Sequence, residues 1–436
     1  MSSELITILF FGGMFALIFA GVPVAFALGG ISSIFLYLTW GGDGFFLVAN
    51  RLWTAMNSFT LIAIPLFMFM ALILERTGVA QALFRMIHLW SGGLRGGLAI
   101  GTVLICAMFG AMVGVSGAAV VAMGAIALPA MLERKYDKRL ALGCINAGGG
   151  FGVLIPPSIV MIVYAMLTGV SVGALFAAGM IPGLLMSVLV AGYIAIRCWL
   201  QPELGPALPK EERGDWSERF RSLMAVALPI GIVVMVLGSI LSGIATATEA
   251  AAIGVLGSLL SAMVHRTLSL NLIKEALLQT LRLTSMIMWI ILGAQVFSTA
   301  YSAMGAQQVV MDLMAAIPGG EWGALAAMLL LLMLMGMVLD PIGIMLITLP
   351  VFMPIITMYG IDPIWFGVLF VIMVEIGYMT PPFGFNLFYL RGVAPPGISI
   401  GDIYISALPY AAVILFGLLL IIAFPGIALW LPKLLF

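Results

Sequence analysis

Apolar stretches near or beyond the about 20 residues that a helix needs to cross the hydrocarbon of a bilayer recur along the whole chain, as around 59 to 74, 98 to 132, 223 to 241 and 403 to 424. No soluble core could absorb them. Of the 436 residues 63% are hydrophobic and 8% charged, against roughly 45–50% apolar in a soluble domain. The alternating pattern of a membrane barrel is absent, so the spans are read as helices and the chain as an all-α polytopic membrane protein. Glycine and proline fall inside the apolar segments as well as between them. That predicts helix breaks at membrane depth, which are tolerated only where protein or a water-filled cavity covers the backbone. Cys106, Cys144 and Cys198 share no short spacing, and His88 and His265 are far apart, so neither a disulfide frame nor a zinc site is expected. The opening MSSELITILFFGG lacks the basic start of a cleaved signal peptide, and its apolar segment is expected to stay as a membrane helix.

The chain also repeats itself at a fixed shift. FGVLIPPS (151 to 158) answers IGYMTPPF (376 to 383), and Gly152 and Gly377, Pro156 and Pro381, and Tyr164 and Tyr389 are each 225 apart. Gly29 and Gly254, Pro129 and Pro354, and Asp137 and Asp362 keep the same register, while Ser58 with Ser285 and Gly78 with Gly305 differ by 227. A shared register of this kind marks an internal duplication.

Charge orients the two copies, because cytoplasmic loops carry an excess of Lys and Arg. The stretch from 76 to 95 holds Arg76, Arg85 and Arg95, whereas its counterpart from 303 to 322 holds Asp312 and Glu321 and no basic residue. ERKYDKR (133 to 139) is strongly basic and its partner MYGID (358 to 362) is not. Corresponding loops thus lie on opposite sides, and the repeats are expected to be inverted. The division is 1–198 for the first repeat, a cytoplasmic linker at 199–221, and 222–436 for the second repeat. The polar stretch from 197 to 221 carries Arg197, Lys210, Arg213, Arg219 and Arg221. With Arg266, Lys274, Arg282 and Arg391, this topology puts all of the 18 basic residues except Arg51 and Lys433 on the cytoplasmic side, with both termini in the periplasm.

Two segments, about 98–132 and about 324–356, would start and end on the same side, interrupted midway by GVSG (114 to 117) and LDPIG (339 to 343). Each is read as a re-entrant hairpin. Broken helices are expected at about 140–168 and about 364–390, where GGGFGVLIPPS and IGYMTPPFGFN combine prolines that lack an N–H with conformationally free glycines. A break leaves N–H groups at one half-helix end and carbonyls at the other, so it can hold an anion and a cation close together. Ser158, Thr380 and Asn386 add oxygen ligands for a hard cation; packing kinks are the plainer reading of the same prolines.

Asp340, inside LMGMVLDPIGIML, is the strongest candidate for a functional residue, since a carboxylate there must be paired, ligated or solvated. A helix N-cap is its structural alternative. Ser116 and Gly117 hold the matching position in the first hairpin, where small residues also serve close packing. Glu249 in GIATATEAAAIG reads as part of a network with Thr246 and Thr248 rather than as a ligand. Glu375 in VIMVEIGYMT could contact an ion, take a proton or pair with a basic group; Asn146 and Ser58 are supporting candidates.

SFTLIAIPLFMF (58 to 69), GGGFGVLIPPSIVMIVYA (148 to 165), GIATATEAAA (243 to 252) and IGYMTPPFGFNLF (376 to 388) together resemble the large permease subunit of the tripartite ATP-independent periplasmic (TRAP) transporters, over essentially the whole chain. The resemblance implies an elevator-type, ion transporter superfamily-like carrier of the bacterial inner membrane, driven by a sodium gradient. It implies two partners, a separate four-helix membrane subunit and a periplasmic substrate-binding protein, and a small carboxylate substrate, closer to monocarboxylates or 2-oxo acids than to sialic acid. Carried over by motif, the sodium sites fall at Ser116, Gly117, Pro156 and Ser158 in the first half and at Gly377, Thr380 and Pro381 in the second. Substrate would be bordered by Asp340, Ser158, Ser116 and Asn386. The family's first hairpin often has a further Ser after SG, where this chain has Ala118 and no hydroxyl.

Na+ is thus the only metal expected, with no organic cofactor and no nucleic acid. An embedded enzyme would need clustered His, Cys or acidic residues, and an ATP-driven pump a GxxxxGK[ST] loop; the sequence has neither. A channel would share the repeats, but paired occluding hairpins suit alternating access better. The nearest alternative is a stand-alone sodium- or proton-coupled anion carrier without a binding protein.

Overall fold

The computed structural model describes residues 2–91, 93–207, 209 and 215–436, and among them every regular element is helical. Lys210 and Arg213 of the basic linker lie outside the described residues. Helices α1 (Ser3–Phe19), α2 (Val24–Trp40) and α3 (Asp43–Met56) lead to a 3-10 turn at Phe59–Ile62 that continues into α4 (Ala63–Arg76), followed by α5 (Val79–Ser91). A hairpin of α6 (Gly97–Val113) and α7 (Ser116–Glu133) comes next. After it come α8 (Lys138–Leu154) and α9 (Ile159–Thr168), a helix pair bent by 40° at its break, and the long α10 (Val172–Leu200).

The second half runs α11 (Trp216–Leu241), α12 (Ala247–Val264), α13 (Leu270–Ala303) and α14 (Ala306–Ala315). It repeats the hairpin as α15 (Gly320–Gly336) and α16 (Pro341–Tyr359), then the broken helix as α17 (Pro363–Tyr378) and α18 (Phe385–Val393), and ends with α19 (Ile400–Ala423) and α20 (Gly426–Leu435). Among the described residues 8 helices are long and apolar enough to cross a membrane, or up to 10 with each bent pair taken as one span. The chain is a multi-pass membrane protein.

Several positions related by the 225-residue shift do the same local work in both halves. Asp137 caps α8, accepting from the Arg139 and Leu140 N–H groups at 3.0 and 2.9 Å, and Asp362 caps α17 from Ile364 and Trp365 at 2.8 and 3.1 Å. These side chains satisfy N–H groups that a helix start leaves without partners. Pro129 and Pro354 both lie inside the second helix of a hairpin.

Gly152 and Gly377 both meet a glycine of the neighbouring hairpin. A Cβ on Gly152 would press on the Cα of Gly110, and one on Gly377 would stand 2.8 Å from the Cα of Gly336. Hairpin and broken helix therefore touch backbone to backbone, the close approach that small residues permit between membrane helices. Gly152→Val and Gly377→Val are each expected to lower the melting temperature of the purified protein, since overpacking costs about 1–3 kcal/mol. Gly12→Ala, whose Cβ meets nothing within 4 Å, should leave the melting temperature in place.

Hydrogen bonds and ion pairs join loops and helix ends across the chain. Gly96 donates to the carbonyl of Gly205 at 2.8 Å and Asp137 to that of Leu204 at 2.9 Å. Lys138 pairs with Asp402 at 2.8 Å, the Trp90 indole donates to the carbonyl of Arg219 at 3.3 Å, and Arg76 pairs with Glu275. The Trp40 indole donates to the carbonyl of Ala303 at 3.2 Å, joining the C-terminal ends of α2 and α13.

Candidate functional site

The chain breaks and the hairpin tips converge. At the first tip Gly114 takes a positive φ of 69°, and a Cβ there would stand 2.9 Å from the Pro157 carbonyl oxygen, so the tip lies on the first break. At the second tip the Gly384 N–H donates to the Met337 carbonyl at 3.1 Å, tying the second break to its own hairpin. Both breaks contain a cis proline pair, Pro156–Pro157 and Pro381–Pro382.

A third set of contacts crosses between halves. Ser116 Oγ donates to Asn386 Oδ1 at 2.7 Å, and Asn386 Nδ2 donates to Glu375 Oε1 at 2.6 Å. Ser116, Asn386 and Glu375 are 2%, 0% and 4% exposed, so this chain of three polar groups runs through the interior from the first hairpin tip to the second broken helix. No cation pairs with Glu375 among the described ion pairs, and its carboxylate occupies the space that a Cβ on Gly150 would need. Gly150 and Glu375 are themselves 225 apart. Gly117 lies under the ring of Tyr389, and both line a cavity of about 300 Å³ with Glu75 and Gln279.

Asp340 caps α16, its Oδ2 accepting from the Gly343 N–H at 3.0 Å. The cap uses one oxygen of a carboxylate that can accept several bonds, so the cap alternative holds without exhausting the group. Ser158 is fully buried at the first break, donating to the Val153 carbonyl at 2.6 Å and capping α9 through Met161 at 3.4 Å. Thr380 Oγ1 donates to the Ile376 carbonyl at 2.5 Å. Gly377 sits in the last turn of α17, its carbonyl accepting from Thr380 N at 3.1 Å; Pro156 is buried and Pro381 half-buried at the breaks.

Other candidates stand apart from this convergence. Glu249 forms a capping box with Thr246, whose N–H and hydroxyl both donate to its Oε2 at 2.8 Å, while Thr248 turns to the Phe59 carbonyl at 3.4 Å. Ser58 lines a separate cavity with Arg51. Asn146 lies one helical turn before Gly150 on α8, and neither atom of its fully buried amide has a protein partner among the described residues. Two participants escape sequence reasoning: Gly150, whose role is to lack a side chain, and Tyr389, whose repeat partner Tyr164 bonds the Pro363 carbonyl at 2.7 Å.

Paired hairpins meeting paired helix breaks inside a multi-pass bundle define the permease of a membrane transporter. The architecture matches a solved structure of the Alcanivorax borkumensis YdaH transporter, with a TM-score of 0.62 at 14% identity over 98% of both chains, a likeness of fold. Sequence carries the assignment further. Residues 11–427 match the family model described as the tripartite ATP-independent periplasmic transporter, DctM component. The chain is 35% identical to the C4-dicarboxylate TRAP transporter large permease protein of Vibrio cholerae over 95% of each. It is 33% identical to the ectoine TRAP transporter large permease protein of Halomonas elongata, over 97% of this chain and 98% of that one. The chain belongs to the TRAP transporter large permease family; it is a transport protein of the inner membrane and not an enzyme.

Proposed function

We propose that this permease takes up a small organic carboxylate by sodium symport, receiving it from a periplasmic binding protein and working with a separate small membrane subunit. The observation that carries the reading is the buried Ser116–Asn386–Glu375 chain, which joins the hairpin tip of one half to the broken helix of the other. An ion or substrate held there would touch both halves at once, so the hairpin of one half and the broken helix of the other would travel with it as one block.

In this reading the repeats 1–198 and 222–436, joined by the linker 199–221, are inverted, and the loop group around Arg76, Gly96, Asp137, Gly205 and Arg219 is cytoplasmic. The loop hydrogen bonds and ion pairs support that grouping, because each joins segments that the charge pattern puts on one side. Sodium is held by oxygens at Ser116, Gly117, Pro156 and Ser158 and at Gly377, Thr380 and Pro381. The substrate carboxylate lies beside Asp340, Ser158, Ser116 and Asn386, where the half-helix starts of α7, α9 and α16 present their positive ends. Hairpins and broken helices move together as an elevator. The cavity at Gly117 and Tyr389 opens beside Glu75 and Gln279, next to the Arg76–Glu275 pair, which corresponds to an inward-facing state. The relatives named for C4-dicarboxylate and ectoine both handle small molecules that bear a carboxylate, which supports the substrate class.

Proteoliposomes holding both membrane subunits test this directly. Uptake of a labelled organic acid is expected only with an inward sodium gradient and the binding protein present. Uptake indifferent to sodium sinks the coupling, and uptake without the binding protein favours a stand-alone carrier.

A further inference from the structure

A second polar cavity, remote from the hairpin tips, carries a charge of its own. Arg51, Thr54, Ser58, Gln295 and Ser298 line a space of about 380 Å³, closed by apolar side chains of α9 and α16. Arg51, Thr54 and Ser298 also line a neighbouring space of about 600 Å³. Volumes of this order are those of small-molecule sites. Neither space has an acidic residue in its lining, and no described ion pair uses Arg51. A guanidinium carries five N–H donors in a planar fork and cannot lose its charge; the polar side chains that line the first space with it are three hydroxyls and one amide. The cavity shares no residue with the one at Gly117 and Tyr389.

Position adds a second argument. One wall is built by α3 and α13, the other by Leu349, Pro350 and Met353 of α16 and by Met166 and Leu167 at the end of α9. The wall of α9 and α16 thus belongs to the same elements that form the breaks and tips. Arg51 is moreover one of the two basic residues that the charge pattern leaves off the cytoplasmic side. Arg51 is exposed, and a cation with no acid beside it at the mouth of a cleft raises the local concentration of anions.

We infer that the cavity at Arg51 is an outer anion-holding site, which takes the substrate's carboxylate in a bidentate pair with the guanidinium before the acid reaches the hairpin tips. Gln295 contributes an amide N–H and Ser298 a hydroxyl to the same carboxylate, and Leu349 and Met353 cover its carbon chain. The inference rests on the proposed carboxylate substrate, but occupancy of the site is measurable without transport.

The test introduces Thr54→Cys, at an exposed lining position given no part in holding the carboxylate. The three native cysteines are buried, so the new thiol is the reactive one. The full chain, purified with its small subunit in detergent, is alkylated with N-ethylmaleimide in the presence of succinate, pyruvate or the uncharged succinamide, without a sodium gradient or binding protein. A carboxylate at about ten times its Kd should slow labelling roughly tenfold, by simple occupancy, and succinamide should not. Protection should vanish when Arg51→Gln is added and survive, weakened, with Arg51→Lys, each variant first shown monodisperse by size exclusion. Equal labelling with and without both acids, or undiminished protection in Arg51→Gln, overturns the site. Uptake of the same acids separates the two readings: protection without uptake keeps this site and removes the transport proposal, and uptake without protection does the reverse.

Discussion

Asp340→Ala is expected to reduce uptake to the level of empty liposomes, and Asp340→Asn to do the same. The pair of variants separates two roles of one side chain. As N-cap of α16, Asp340 accepts from the Gly343 N–H, and loss of such a cap costs about 1 kcal/mol of stability. Asparagine caps a helix about as well as aspartate, so a purely structural Asp340 would leave the asparagine variant active and the alanine variant merely less stable. Loss of uptake in both, with the asparagine variant melting like the parent, requires the negative charge itself. Full uptake by Asp340→Asn removes the carboxylate from the site and leaves the fold untouched.

Glu375→Ala is expected to fail in a different way, by loosening the contact between halves. It strips the acceptor from Asn386 Nδ2 in a fully buried setting, and an orphaned buried donor costs about 1–3 kcal/mol. Asn386 is also the acceptor for Ser116, so the loss reaches the first hairpin tip. Uptake and melting temperature should fall together, whereas Glu375→Gln, which keeps an oxygen for Asn386, should hold the melting temperature. Gly150→Ala attacks the same place from the other side, because its Cβ would overlap the Glu375 carboxylate. Combining Gly150→Ala with Glu375→Ala should cost less stability than the two single effects added, the sign of direct contact in a double-mutant cycle. Additive losses would mean that Gly150 is not the seat of the Glu375 side chain.

Much of this architecture is legible in the sequence because it is written in residues with backbone consequences. Pro-Pro beside glycine marks both breaks, GVSG and LDPIG mark both tips, and a capping aspartate opens each broken helix at Asp137 and Asp362. Ser116, Asn386 and Glu375 are each individually conspicuous as polar groups in apolar runs. Their linkage is not, since Ser116 and Asn386 are 270 residues apart and nothing local says which tip meets which break. Gly150 is invisible for a simpler reason: a glycine in GGG announces flexibility, whereas here it is space for a carboxylate carried by another helix. Arg51 shows the converse. It sits in a short amphipathic helix where a surface charge is the ordinary reading, and only the cavity wall gives it a direction.

The paired glycine contacts have a mechanical consequence. Where Gly110 meets Gly152 and Gly336 meets Gly377, no side chain lies between hairpin and broken helix, so at these two points the seam has no rotamers to exchange as the helices slide. Each hairpin is keyed to its neighbour like a tongue in a slot. Whatever bends during a cycle must then bend beyond these points, at the tips themselves, two residues long at 114–115 and four at 337–340, or where these keyed blocks ride against α2, α4 and α13. A spin-label pair spanning a seam should report one unchanging distance while pairs spanning blocks and those helices report two.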